Sequence, residues 1–203
     1  MTSVITGDVI RSRNIKDQNI WLEQLKYALN TLSSDNDSYE IYRGDSFQYE
    51  CRDIHNSFEH AVYIKSCIKT LKGLDVRMSI GIGTKDYEGR NVSESNGEAF
   101  VYSGETFETL KKEKINLKIK TRDVTLNEEL NLYFRLALIA MDNWTVNSAE
   151  IVKLSLENPN MIQKELATII GISQDAVSKR QKRAYLDEIL ELKKLYSEKI
   201  DQL

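Results

Sequence analysis

Two sets of residues have types and spacing suited to chemistry. The first is a pair of carboxylates: Asp8, which closes Thr6-Gly7-Asp8, and Asp45, which sits in Arg43-Gly44-Asp45-Ser46. Two aspartates from neighbouring strand ends can share one Mg²⁺, an ion that takes oxygen ligands and keeps waters for phosphates to replace. Gly-Asp is also a turn signature, because glycine supplies the dihedral and aspartate bonds its own backbone. Spacing alone favours the turn reading.

The second set is cationic and lies within residues 160–183. Gly171 can end one helix at positive φ, and Ser173 can cap the amides of the next. Ala167 is small where two helices would cross. Leu166, Ile170, Ile172 and Val177 are spaced to converge on one small core. Asn160 and Gln163 have capping-box spacing, and Pro159, the only proline, biases Asn158 toward extended geometry. This is the layout of a helix-turn-helix, whose second helix enters the major groove of double-stranded DNA. Lys179, Arg180, Lys182 and Arg183 are placed for phosphate oxygens, and Gln174, Ser178 and Lys179 for base edges. Gln181 stands where an apolar residue is more usual. The plain alternative is a helical hairpin with a solvated basic face.

Composition sets outer bounds. The 203 residues carry a net charge of -3, which argues against indiscriminate coating of nucleic acid. A hydrophobic share of 41% supports a core, and 29% charged residues fit a soluble protein. Cys51 and Cys67 have no metal-ligand spacing and read as reduced thiols. No stretch has the pattern of a signal peptide or a membrane span, so a cytoplasmic protein is expected.

The elements that must position these residues fall into two groups. Residues 3–6 read as a strand ending at Gly7-Asp8. Residues 17–32 read as an amphipathic helix burying Ile20, Trp21, Leu25, Ala28, Leu29 and Leu32. Residues 39–42 and 47–51 flank a hairpin. Helices over 57–71 and 99–112 alternate with strands over 76–82 and 115–120, and 86–97 is a polar loop. The order β-α-β-β-α-β-α-β predicts an α+β, ferredoxin-like sheet domain over residues 1–122. Residues 123–203 read as all-helical, with segments over 126–144, 149–156 and 161–170 and from 174 onward. The last stretch, 184–203, has an apolar side carrying Leu186, Ile189, Leu190, Tyr196, Ile200 and Leu203. That side packs either within the chain or against a second copy in a homodimer.

Thr6-Gly7-Asp8-Val9-Ile10-Arg11-Ser12-Arg13, Arg43-Gly44-Asp45-Ser46-Phe47 and Val76-Arg77-Met78-Ser79-Ile80-Gly81-Ile82-Gly83 resemble landmarks of the class III nucleotidyl cyclase palm domain. The stretch from Asn91 to Gly104, with Gly97, is similar to the cyclase segment before the last helix. The resemblance implies that Asp8 and Asp45 bind Mg²⁺ with a nucleotide. It also implies a transition-state asparagine and arginine, yet residues 98–105 contain neither. The lysine and aspartate that would read the purine have no clear counterpart. A cyclase-like fold that binds a nucleotide, or nothing, therefore follows better than an active cyclase, and no catalytic residue is assigned. Arg11 and Arg13 are either contacts for an anionic ligand or surface arginines. A palm-like part followed by a helix-turn-helix is similar to the SatD family of bacterial proteins, carried by residues 4–13 and Val177-Ser178-Lys179-Arg180. The expected function is a DNA-binding transcriptional regulator with a sensing or dimerising palm; a Mg²⁺-dependent nucleotide enzyme is the alternative.

Overall fold

The computed structural model describes residues 1–33, 39–42 and 44–203. Arg43, part of the expected hairpin motif, lies outside the described residues. Five strands, β1 (Thr2–Ile10), β2 (Tyr39–Tyr42), β3 (Ser46–Cys51), β4 (Asp75–Gly83) and β5 (Leu117–Lys120), form one sheet in the order β2-β3-β1-β4-β5. The β4–β5 pair is parallel and the others antiparallel. Among the described residues there are eight α-helices: α1 (Gln18–Leu32), α2 (Ser57–Lys69), α3 (Glu98–Glu113), α4 (Val124–Met141), α5 (Val146–Glu157), α6 (Gln163–Ile170), α7 (Gln174–Ala184) and α8 (Leu186–Ile200). The chain is thus α+β, with the expected element order through β5. None of these helices is long and apolar enough to cross a membrane.

Strand alternation decides what each sheet face meets. Ile5 and Val9 of β1 join Phe47, Tyr49, Val76, Met78 and Ile80 in the core shared with α1 and α2. Val4 points the other way, toward Val92, Ala99 and Phe100. Helix α3 lies so close to β4 that a Cβ on Gly81 would stand 2.2 Å from the Ala99 carbonyl oxygen. Glycine is therefore required there by contact. Ser79 Oγ donates to the Ser103 carbonyl at 2.7 Å and Thr6 Oγ1 to Ser103 Oγ at 3.0 Å, fixing the seat of α3.

Several expected boundaries are corrected. Strand β1 continues past Asp8, because Val9 and Ile10 still pair with Val76 and Asp75. Ile20 is 47% exposed, since Trp21, Leu25, Ala28 and Leu29 fill the inward stripe of α1. The last helical stretch breaks at Tyr185, which takes a left-handed conformation (φ 54°) between α7 and α8. Both cysteines are buried and free; burial pushes the Cys51 thiol up to about 11 and the Cys67 thiol up to about 12.

Helix α2 is the centre of the molecule. Eleven of its residues, all but Glu59 and His60, are buried. It packs on the sheet and α1 on one side, and on α5 and α8 on the other. Phe58 of α2 stacks on Phe134 of α4 with ring centroids 4.9 Å apart, and Tyr196 of α8 closes the cluster at 5.8 Å from Phe58. One continuous core therefore includes residues on both sides of position 122. The apolar side of α8, including Leu186, Ile189, Tyr196 and Ile200, is buried within the chain.

Charge is buried here as well. Lys65 is 0% exposed, and its ammonium lies 2.6 Å from Asp75 Oδ1 and 2.7 Å from Asp142 Oδ1. Lys69 adds a contact of 3.1 Å to Asp75 Oδ2 and donates to the Asp142 carbonyl at 2.8 Å. Removing one partner of a buried ion pair leaves an uncompensated charge and costs about 3–5 kcal/mol. After Lys65→Met, Asp75 keeps Lys69 and the Asp142 side chain is 36% exposed, so neither carboxylate is left both buried and unpaired. Asp75→Ala, which leaves the buried Lys65 with Asp142 alone and Lys69 with only the Asp142 carbonyl, is expected to lower stability more than Lys65→Met. Urea denaturation of both variants checks the order, and a larger loss for Lys65→Met contradicts it.

Candidate nucleic-acid interface and the aspartate pair

The turn between α6 and α7 is built as its residue types require. The Ala167 carbonyl accepts from the amides of both Gly171 and Ile172, at 2.9 and 3.0 Å, with Gly171 at φ 76°. Ser173 Oγ accepts from the Ala176 amide at 3.2 Å and opens α7. Leu166, Ala167 and Val177 are buried, with Ile170 and Ile172 packed against them. The expected Asn160–Gln163 capping box is not formed. Helix α6 starts at Gln163 with Ile162 as its N-cap, and the Glu165 carboxylate accepts from the Ile162 amide at 2.9 Å. Only the reach-back half of a capping box is present, two residues downstream of the expected position, because the Ile162 side chain has no atom that can accept from the Glu165 amide.

Helix α7 divides its polar residues between two directions. Gln174, Ser178 and Lys182 form one exposed row, and Asp175, Lys179 and Arg183 the adjacent one. Lys179 pairs with Asp175 at 2.7 Å on the surface. Such an i, i+4 pair is worth about 0.3–0.5 kcal/mol, so it leaves Lys179 free to move to a phosphate. Arg180 is different: its guanidinium lies 2.6 Å from Glu150 Oε2 on α5, with 20% of the side chain exposed. It is turned toward α5 and away from the exposed rows. Gln181 also faces inward; it accepts from Gln163 Nε2 at 2.9 Å and donates to Ser155 Oγ at 3.3 Å. The polar residue at this position therefore joins α5, α6 and α7. At the helix end, Trp144 Nε1 donates to the Ala184 carbonyl at 2.9 Å.

Asp8 points to the sheet face that carries α3, and Asp45, in the turn before β3, is near enough for its charge to act on Asp8. Asp45 Oδ2 accepts from Ser12 Oγ at 2.7 Å. Both oxygens of Asp8 are taken by Arg77, directly opposite on β4: Nε donates to Oδ1 at 3.1 Å and Nη2 to Oδ2 at 2.5 Å. Burial raises the Asp8 carboxyl above its ordinary range. Arg77 and Lys111 pull it down, and the negative charge of Asp45 pushes it further up. Among the described residues no group of three or more His, Cys, Asp or Glu is arranged to hold a metal ion. Arg77 already occupies one lone pair on each Asp8 oxygen, so a Mg²⁺ ion there would have to share Asp8 with the guanidinium or displace it.

A family model described as the SatD family matches residues 3–199. The chain belongs to the SatD family. No curated protein and no solved structure matches it.

In this SatD-family chain, the residue that sequence reasoning missed at the carboxylate pair is Arg77. It lies within the Val76–Gly83 stretch and meets Asp8 only through the register of β1 with β4. The available signal was strand alternation, which places Arg77, Ser79 and Gly81 on the same face as Asp8 once β1 and β4 are paired.

Because folded Asp8 holds its proton more tightly than the unfolded chain, its contribution to stability is complete below the unfolded value near 3.8 and is lost as pH rises through the raised folded value. Asp8→Asn is expected to remove that component of the pH dependence. In an NMR titration, Arg77→Ala is expected to move Asp8 further up. An unchanged Asp8 titration in Arg77→Ala contradicts the assignment.

Proposed function

We propose that this SatD-family chain is a sequence-specific DNA-binding transcriptional regulator acting in the cytoplasm. The observation that carries the reading is the exposed double row on α7, with Gln174, Ser178, Lys179, Lys182 and Arg183 facing solvent directly after the Gly171 turn. On this reading α6 and α7 are the helix-turn-helix, and α7 lies in the major groove of double-stranded DNA. Lys182 and Arg183 bind phosphates, while Gln174 and Ser178 meet base edges. Arg180 contributes through Glu150, by holding α7 on α5.

The sheet part is read as a ferredoxin-like, cyclase-like palm that serves as a sensor or a dimerisation unit. Its β2-β3-β1-β4 order supports this, being the order of a split β-α-β arrangement with β5 added beside β4. A nucleotide-processing reading draws on Asp8 and Asp45, and the closure of Arg77 over Asp8 weighs against it.

Gel-shift titrations over a salt series test the proposal. Each lost phosphate contact lowers the slope of log affinity against log salt by about 0.9. Lys182→Ala and Arg183→Ala are each expected to weaken DNA binding and flatten that slope, whereas Arg180→Ala lowers stability with a smaller change in slope. Binding that is the same in Lys182→Ala, Arg183→Ala and wild type overturns the placement of α7 on DNA. Equal affinity for all sequences overturns the regulator.

A further inference from the structure

A cleft of about 670 Å³ opens where β1 leaves the sheet, between the α2–β4 turn and the first turn of α5. It shares no residue with the exposed rows of α7 or with the Asp8–Arg77 pair. Its size is that of a small-molecule site.

The charges around it do not cancel. Asp75 and Asp142, both in its wall, are taken up by Lys65 and Lys69. Arg11 and Lys72 also line the cleft, are exposed, and make no ion pair among the described residues. Arg11 is held at φ 66° and ψ 20°, a left-handed conformation unusual for a residue with a Cβ and one that tends to mark functional positions. Leu74, Trp144 and Val146 add an apolar surface.

We propose that this cleft binds a small phosphomonoester. Two uncompensated cations match one dianionic phosphate, and a guanidinium forks onto phosphate oxygens better than onto a single charge. The apolar residues then receive the organic body. One wall of the cleft is the start of α5, the helix on which α7 packs and to which Arg180 is tied. Occupancy thus acts on the element that holds α7. The consequence for DNA affinity rests on the DNA-binding reading; the site itself does not.

Calorimetry on the full chain, with phenyl phosphate, inorganic phosphate and benzoate as probes, tests the site. Phenyl phosphate is expected to bind saturably at one site and more tightly than either of the others. Its affinity should fall about tenfold in Arg11→Gly and in Lys72→Ala, the effect of one lost charged hydrogen bond. Arg11→Gly suits the left-handed backbone, so thermal melting should show it folded. No saturable heat, or equal affinity in both variants and wild type, overturns the site. Benzoate binding as tightly as phenyl phosphate overturns the choice of phosphate. In gel shifts, saturating phenyl phosphate is expected to change DNA affinity about fivefold. Unchanged DNA affinity overturns the coupling. A chain that takes up phenyl phosphate yet shifts no DNA under any condition overturns the DNA-binding reading and leaves the cleft standing.

Discussion

The burial of the Lys65 ammonium is the constraint on which the remaining architecture depends. A fully desolvated cation is tolerated only when opposite charges meet it at short range. Asp75 comes from the start of β4 and Asp142 from the corner after α4, so one charge fixes three elements. That requirement sets where the helical part can leave the sheet. With the corner fixed, α5 lies along α2, and the Phe58–Phe134–Tyr196 cluster brings α4 and α8 against the same helix. Helix α2 is enclosed because both of its sides carry structure.

The position of α7 follows by short steps from that anchor. Trp144, two residues after Asp142, is bonded to the last carbonyl of α7. Glu150 on α5 holds Arg180, and Gln181 bridges to Gln163 and Ser155. These contacts use the inward polar side chains and leave the outward ones to solvent. A chain with a net charge of -3 thereby exposes Lys179, Lys182 and Arg183 together on one helix, which is compatible with a selective partner surface on an otherwise acidic protein.

Much of this architecture was legible in the sequence because it rests on local signals. The order of strands and helices through β5 follows from periodicity, and the caps at Gly171 and Ser173 follow from residue type. What was not legible depends on pairing across the sheet or between layers. Asp8 read as a strand end because Gly-Asp is a turn signal, yet pairing with β4 carries the strand two residues further. Arg77 faces Asp8 only once β1 and β4 are in register. Arg180 read as one more surface cation, and only the packing of α5 on α7 distinguishes it from Lys182 and Arg183. Lys65 lies in a sequence that reads as an ordinary amphipathic helix, and nothing nearby in the chain announces Asp142. At the candidate metal site, the two aspartates were visible and the guanidinium that occupies one of them was not.

The enclosure of α2 also bears on how such a chain can change over evolutionary time. Its outer side is covered by α4, α5 and α8, so the helices after β5 complete the interior of the sheet part. A reader module joined by a flexible tether can be traded between proteins with little disturbance. Here, an exchange of the segment from α4 to α8 would have to carry matching replacements at Phe58, Lys65 and Lys69, which favours descent of the whole unit together over shuffling of its halves.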